Sequence, residues 1–443
     1  NDASHEVRKP HVSCYEDASY TYDEKDVLSG TIRWYRSNLW GTNSKYQNKP
    51  LWSVGGSWNI YKEKFFQADF VDMLKLRASY GIGGNIGRNT APYLIASYYD
   101  SSLVDGMAGS VNTPPNKDIR WEKTTTVNVG VDFALFRHRL SGTIEYYNKY
   151  SVDLLAAING SPTQGFGYTT LMTNNGKMVN RGVEITLSGE IIRQKDFSWN
   201  ASLLYAFNRN KVKHISVQPS LWDSRISMPT SYPMVGKPLY GIYAYKWAGL
   251  NENGDPQVYD AENNVTSGPA RDYHALVYCG TTVPIHNASL TNVLRYKGFE
   301  FLAMLILDAG HKLRSSNIPS INMSNGRITS TAKGIVDRWT QPGDVTDVPR
   351  LLFSNDTENF NTHRTELYRY SDLFVYDASN IRLSNISLAY RVPAHWCKKI
   401  SLSGARLQFN VENVATFAFD SKANYDLGGK VKPNYVWGLY LNF

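Results

Sequence analysis

The stretch SYGIGGNIGRN, Ser79 to Asn89, has the residue types of a phosphate-binding loop. Such a loop needs a strand before it and a helix N-terminus after it, so that backbone N–H groups converge on the anion. LKLRASY supplies the strand by alternating apolar and polar residues. No helix follows, because TAPYLIASYYDSS carries Pro92 and lacks a 3.6-residue period. Ile86 also stands where the third glycine of a nucleotide motif belongs. The stretch reads instead as a strand leaving a sheet for a long loop, with glycines that permit the turn and leave room for neighbours.

Other chemistry is equally sparse. Nine histidines are scattered without an HExxH or other paired spacing, and Cys14, Cys279 and Cys397 form neither a metal nor a redox motif. NENGDPQVYD places Asn251, Asn253 and Asp255 in alternation like a calcium loop, but Gly254 is out of position and no Glu closes the set, so a turn is expected. No G-x-S-x-G nucleophile elbow occurs. No cofactor, metal or catalytic residue is assigned.

Binding chemistry is better represented. Tyr98, Tyr99, Tyr168, Trp222, Tyr232 and Trp247 offer ring faces to a sugar or a peptide side chain, and Asn85 and Asp100 offer hydrogen bonds to hydroxyls or amides. The first five of these aromatics, with Asn85 and Asp100, are the candidate substrate-binding residues. The competing role for each ring is packing between loops or a place in an interfacial aromatic girdle. Arg314, Arg327 and Arg338 are candidates to meet carboxylates, or else belong to a solvated loop surface.

The elements that must position these residues are strands. VNVGVDFAL puts Val127, Val129, Val131, Phe133 and Leu135 on one face and Asn128, Gly130, Asp132 and Ala134 on the other. Comparable alternation flanks the short turns FRHR, RQKD and RYKG, which indicates antiparallel hairpins. The other connections are long: about 82–120, 151–179, 211–287 and 311–380. Long structureless loops are unusual in compact soluble domains. Short turns at one end and long loops at the other characterise outer-membrane barrels. With Phe443 at the periplasmic end, chain parity puts all four long loops outside, provided GIYAYKWAGL stays within its loop.

The longest apolar run is FLAMLIL, too short for a membrane helix, and the mean hydropathy is −0.39. Strand alternation dilutes hydropathy, so a barrel is not excluded. The net charge of +8 is spread along the chain, against a nucleic-acid face. About thirteen spanning strands are expected, beginning near His11. An antiparallel barrel closes with an even number, so the count leans toward a partial barrel.

Six separate elements then resemble one family in its own order. They are YTYDEKDVLSGTIRW, LKLRASYGIGGN, the segment from IRWEKTTTVNVGVDFAL to YSVDLL, NNGKMVNRGVEITLSGEII, RWTQPGDVTDVPR and YDASNIRLSNISLAYRVP. The chain resembles the C-terminal barrel half of TonB-dependent outer-membrane transporters of the SusC/RagA type, from Bacteroidetes. The family pattern is broken at RWYRSNLWG and at KVKPNY, and nothing resembles the family's plug domain or its TonB-contacting segment. The expectation is an all-β, antiparallel transmembrane barrel over 1–443, partial, with plug and TonB segment elsewhere.

The resemblance implies a multi-pass barrel in the outer membrane of a Gram-negative, Bacteroidetes-like cell. It also implies TonB-energised import of oligosaccharides or oligopeptides, with a SusD-type surface lipoprotein as partner and no enzyme activity. A passive barrel or adhesin is the alternative, and a barrel-embedded hydrolase the more remote one, which would need a Ser/His pair meeting at one rim. In the terminal strand YVWGLYLNF, Trp437, Leu439, Leu441 and Phe443 share one face, expected to meet the lipid bilayer, while Tyr440 and Asn442 face inward. The terminal Phe resembles the aromatic ending read by outer-membrane assembly machinery.

Overall fold

The computed structural model describes residues 11–37, 43, 50–85, 92–101, 103, 106–160, 163, 170–219, 221, 223–268, 270, 272–323, 331–353, 362–427 and 432–443. Thirteen strands form one sheet: β1 (His11–Tyr22), β2 (Asp26–Ser37), β3 (Leu51–Asn59), β4 (Val71–Asn85), β5 (Glu122–Leu135), β6 (Leu140–Asn159), β7 (Thr170–Arg193), β8 (Phe197–His214), β9 (His286–Tyr296), β10 (Phe299–Ala309), β11 (Asn380–Arg391), β12 (Gly404–Ala418) and β13 (Asn434–Asn442). They lie side by side in chain order, and that order ends at β1 and β13, so the sheet is open. Pairing is antiparallel from β1 through β6 and from β8 through β13. The strand count and the start at His11 match the sequence expectation.

The chain divides into two compact units. One comprises 1–187, 208–218 and 234–238; the other comprises 188–207, 219–233 and 239–443. In the first, the tight turns lie at 22–26 and 135–140. Asp23, Glu24, Phe136, Arg137 and His138 take positive φ there, as short hairpin connections require. In the second, β9 and β10 join at Lys297–Gly298, and β11 and β12 join through a compact turn holding the short helix Ala394–Lys398. Cys397, fully buried, and Leu402 make the small core of that turn.

The long connections hold structure of their own. A hairpin, Ile95–Ser101 with Gly106–Thr113, stands between β4 and β5. Between β8 and β9, Gly241–Tyr245 pairs with Leu276–Thr281, and Trp247–Leu250 with Pro256–Tyr259, so GIYAYKWAGL does stay within its loop. Between β10 and β11 lie two small strand pairs and the helix Thr362–Arg369. The expected loop 151–179 is largely strand: β6 runs on to Asn159 and β7 begins at Thr170. Likewise Gly81–Asn85 do not turn but continue β4, paired with Glu122–Thr126.

Candidate functional site

The first unit's part of the sheet has two chemically opposite faces. Register places Leu28, Val54, Trp58, Leu76, Tyr80, Val129, Val131, Ile144 and Tyr146 on one face. Tyr80 and Trp52 pack with ring centroids 5.6 Å apart, yet both remain over a third exposed. The opposite face carries Thr31, Ser53, Ser29, Gly55, Ser79, Arg77, Asn128, Asp132 and Glu145. An apolar, aromatic face of this extent would be an aggregation hazard in water and is at home against hydrocarbon.

The second unit repeats this division. Phe197, Tyr296, Phe299, Tyr390, Leu407 and Leu439 form one cross-strand row, and Trp199, Leu294, Phe301, Leu388, Phe409 and Trp437 the next. Phe409 and Trp437 approach to 4.2 Å between centroids. The other face carries charge. Glu300 accepts from Arg295 at 2.8 Å and Arg406 at 3.0 Å, and Asp308 accepts from Arg382 at 2.9 Å and Asn287 at 2.7 Å.

On the first unit's polar face the charges are organised. Arg77 donates to Asp132 at 3.1 Å and Glu145 at 2.7 Å, Thr143 donates to Asp132 at 2.9 Å, and Asn128 donates to Glu145. A groove of about 200 Å³ runs beside this cluster over Ser29, Gly55, Ser57, Ser79 and Asn128. Hydroxyls, amides and fixed ion pairs make this face polar without committing it to one charge.

At the loop-side rim a second cleft, about 280 Å³, is lined by Leu51, Trp52, Ile82, Gly83, Gly84 and the run Arg120–Lys123, with Asp153. Here lies the reason for the glycine-rich stretch. A Cβ on Gly84 would stand 2.6 Å from the Trp121 ring, and one on Gly81 would stand 2.7 Å from the Ser53 Cβ. These glycines admit close neighbours within a strand. Arg120 and Asp153 pair at 2.7 Å, and Asn174 donates to both their backbone carbonyls at 2.7 Å. Arg120, Trp121 and Asp153 are not candidates from sequence; only the meeting of the segment just before β5 with β6 reveals them.

The sequence candidates fall in different settings. Asn85 donates to Glu122 at 2.8 Å, tying β4 to β5. Tyr98 and Tyr99 are 72% and 53% exposed on the hairpin; as adjacent strand residues they face opposite ways, with Asp100 on the side of Tyr98. Tyr232 is only 8% exposed and offers a ligand little surface. Tyr168, Trp222 and Arg327 lie outside the described residues. Trp247 packs on Tyr368 and donates to Asp347 at 2.9 Å, the packing role. Trp437, Leu439, Leu441 and Phe443 are exposed at 79%, 62%, 41% and 91%.

In the calcium-like loop the alternating Asn251 and Asp255 are already engaged. Asn251 accepts from the N–H groups of Asn253 and Asp255, closing a turn. Asp255 is held by Arg350 at 2.9 Å and Arg364 at 2.6 Å. Trp339 packs flat against Gly254, where a Cβ would come within 2.4 Å of the ring at a φ of +73°. Two sequence motifs thus lock together, RWTQPGDVTDVPR over NENGDP. Arg314, another candidate for carboxylates, instead donates to the carbonyls of Arg369, Ser371 and Tyr243, and burial pushes its guanidinium below the usual range. Among the described residues no cluster of three His, Cys, Asp or Glu could hold a metal. Ser216 does meet His214 at 3.3 Å on the rim, but it donates to Asn175 at 3.0 Å and no carboxylate orients the imidazole in those contacts.

A family described as TonB dependent receptor-like, beta-barrel matches residues 15–414. The chain belongs to this family. As a TonB-dependent-receptor β-barrel, it has an outer-membrane location by membership, and the family is one of receptors and transporters, not enzymes. TonB-dependent receptor P3 of Formosa agariphila is 26% identical over 97% of the chain and 43% of its own length. TonB-dependent receptor SusC of Bacteroides thetaiotaomicron is 25% identical over 92% of the chain and 40% of its own length. The chain thus spans less than half the length of these relatives. The solved RagAB peptide transporter superposes with a TM-score of 0.79 at 23% identity, covering 98% of this chain and 48% of that one, a likeness of fold. No helix among the described residues is long and apolar enough to cross a membrane; the strands of this barrel family cross instead.

Proposed function

We propose that the chain is the C-terminal barrel portion of an outer-membrane active importer of oligosaccharides or oligopeptides. Its plug and TonB-contacting segment belong to the rest of the protein, and a SusD-type surface lipoprotein covers its loop side. The observation that carries this reading is the two-faced sheet. One face is an aromatic surface for lipid, and the other is a polar wall along which a solute too large for passive pores can move. The rim cleft, the exposed Tyr98 and Tyr99, and the loops at one end supply places for capture. Asn85, Asp100, Tyr168, Trp222 and Tyr232 remain the further candidates for contact or support.

The loop-side end faces the cell exterior in this reading. Cysteines introduced at Ser101 or Ser227 then label on intact cells with an impermeant reagent, and cysteines at Arg193 or Lys297 do not; the reverse pattern inverts the topology. For import, fluorescent oligosaccharide and oligopeptide pools are offered to cells with and without the full-length gene, in the presence or absence of a protonophore. Gene-dependent uptake that stops with the protonophore supports the importer. Uptake that persists identifies a passive barrel, and unchanged uptake on deletion removes the import reading.

A further inference from the structure

The short-turn end of the second unit is strongly basic. Three successive connections meet there: Lys297 donates its N–H to the Asp196 carbonyl at 2.9 Å, and Arg391 donates to the Gly298 carbonyl at 2.8 Å. These turns carry Lys195, Lys297, Arg391, Lys398 and Lys399, all exposed, against one carboxylate, Asp196, and among the described residues none of the five cations forms an ion pair. In the corresponding turns of the first unit two lysines are neutralised locally, Lys25 by Asp23 at 2.6 Å and Lys62 by Glu24 at 2.8 Å.

This cationic rim borders the aromatic row on the apolar face. Tyr296 and Phe299 are about half exposed, the Phe299 ring packs tilted against Tyr390 with centroids 4.5 Å apart, and the Lys297 ammonium lies 5.3 Å from the Tyr296 ring centre. Beside them, Trp396 and Ile400 project from the 391–404 turn, 55% and 67% exposed, next to Lys398 and Lys399. Lysines that only needed solvation would have no use for uncovered indole and sec-butyl groups at their side. Cations at phosphate depth over rings at acyl depth match a molecule with an anionic head and apolar tails.

We propose that this end of the second unit is a binding site for an anionic phospholipid of the phosphatidylglycerol class in the adjoining leaflet. The phosphodiester lies among Lys297, Lys398 and Lys399, and the acyl chains lie along Tyr296, Phe299 and Tyr390. The inference rests on the barrel architecture and not on import, so uptake and lipid retention can fail independently.

The test uses the full-length protein in micelles containing phosphatidylglycerol and phosphatidylcholine in equal amounts, with retained lipid read by native mass spectrometry. Wild type is expected to retain phosphatidylglycerol preferentially, and rising salt should erode that preference. K297Q/K398Q/K399Q should reduce it by about fivefold per lysine, while K25Q/K62Q leaves it unchanged. Heat-modifiable migration reports that each variant is folded. If the triple variant does not insert, the wild-type salt series decides alone. Equal retention of the two lipids by wild type, a preference indifferent to salt, or an undiminished preference in the folded triple variant overturns the proposal.

Discussion

Arg364 reaches Asp255 at 2.6 Å with its own side chain 2% exposed. The same guanidinium donates to Asn322 at 2.6 Å and to the Arg350 carbonyl at 2.8 Å, so one residue of the helix Thr362–Arg369 holds three separated segments of the loops. Burial pushes the guanidinium down, and the Asp255 charge and hydrogen bond oppose that shift. Nearby, Ile321, Tyr368 and Phe374 make the apolar core of the loop body.

Replacing Arg364 by Leu removes a neutralising partner and leaves the Asn322 and Arg350 acceptors unmet. Because Arg350 still holds Asp255, the expected cost is about 2 kcal/mol, below that of an uncompensated buried charge. Lys in its place restores charge but not the three-way fork, and should rescue little. Hydrogen exchange of residues 251–258 and 350–353 in the full-length protein measures this. Unchanged protection would show that the fork is dispensable.

The glycine-rich stretch gives a graded prediction. Gly81→Ala drives a Cβ to 2.7 Å from the Ser53 Cβ and 3.0 Å from the Trp52 carbonyl, atoms that move only with β3. Overpacking of this kind costs about 1–3 kcal/mol. At Gly83 the nearest atom would be 3.9 Å away, so Gly83→Ala should be tolerated. Thermal loss of heat-modifiable migration separates the two. Added ATP should protect neither variant, since these residues pair along β4 and β5 and cradle no phosphate.

Much of the fold was legible because period-two alternation survives in the strands and turn residues mark the hairpins. Strand number and start follow from that pattern; the placement of GIYAYKWAGL does not, being a condition of the parity scheme that the pairing within the loop meets. The region 151–179 reads as loop in the sequence because its alternation is irregular. Strand there is held by neighbours instead: residues up to Val152 pair with β5, the Ser151 and Thr124 hydroxyls bond at 2.8 Å, and the Glu122 carboxylate accepts from the Leu155 N–H, contacts between strands that alternation within one strand does not show. The site residues were harder. Arg120 with Asp153, and Arg364 with Asp255, are contacts between distant segments, and no local signal specifies them. Single aromatics such as Trp247 and Tyr232 carry the same letters whether they pack or bind.

Asp377 supplies a pH signature on the loop side. Burial works to raise its carboxyl, but the Ser379 side chain and N–H and the Lys312 ammonium at 3.0 Å outweigh burial and bring it down to about 2. A carboxyl depressed on folding contributes stability that is present above its ordinary value of about 3.9 and is lost as pH falls through its folded value. Protection of the Ser379 amide, which donates to Asp377 at 2.8 Å, should therefore persist at pH 4 (about the ordinary value) and fall toward pH 2. In Lys312→Gln the loss should begin at higher pH. An exchange profile identical in both proteins would refute the assignment.

Residues 1–443 alone should not yield a closed barrel. The sheet order ends at β1 and β13, and an odd number of alternating strands leaves the two end strands running the same way. The isolated chain, refolded in detergent, should lack heat-modifiable migration and remain open to protease. A resistant monomer would show that it closes by itself.

The terminal strand tests the lipid-facing assignment most directly. Leu439 pairs with Leu407 and continues the row through Tyr390 and Phe299, while Tyr440, one residue on, pairs with Arg406 on the charged face. Leu439→Arg places a guanidinium against hydrocarbon, at an expected cost of about 2 kcal/mol at this depth. Tyr440→Arg puts the same group on the polar face, beside Arg406 and within the setting of Glu300, and should cost far less. In a soluble sandwich a second sheet would cover the row, and both faces would respond to charge by burial alone. Deleting Phe443, 91% exposed beyond the last strand pair, should lower the amount inserted without altering loop labelling. All are measured in the full-length protein as outer-membrane abundance and unfolding midpoint in lipid. Equal penalties for the two arginine variants, or wild-type insertion without Phe443, would remove the strand from the role given to it here.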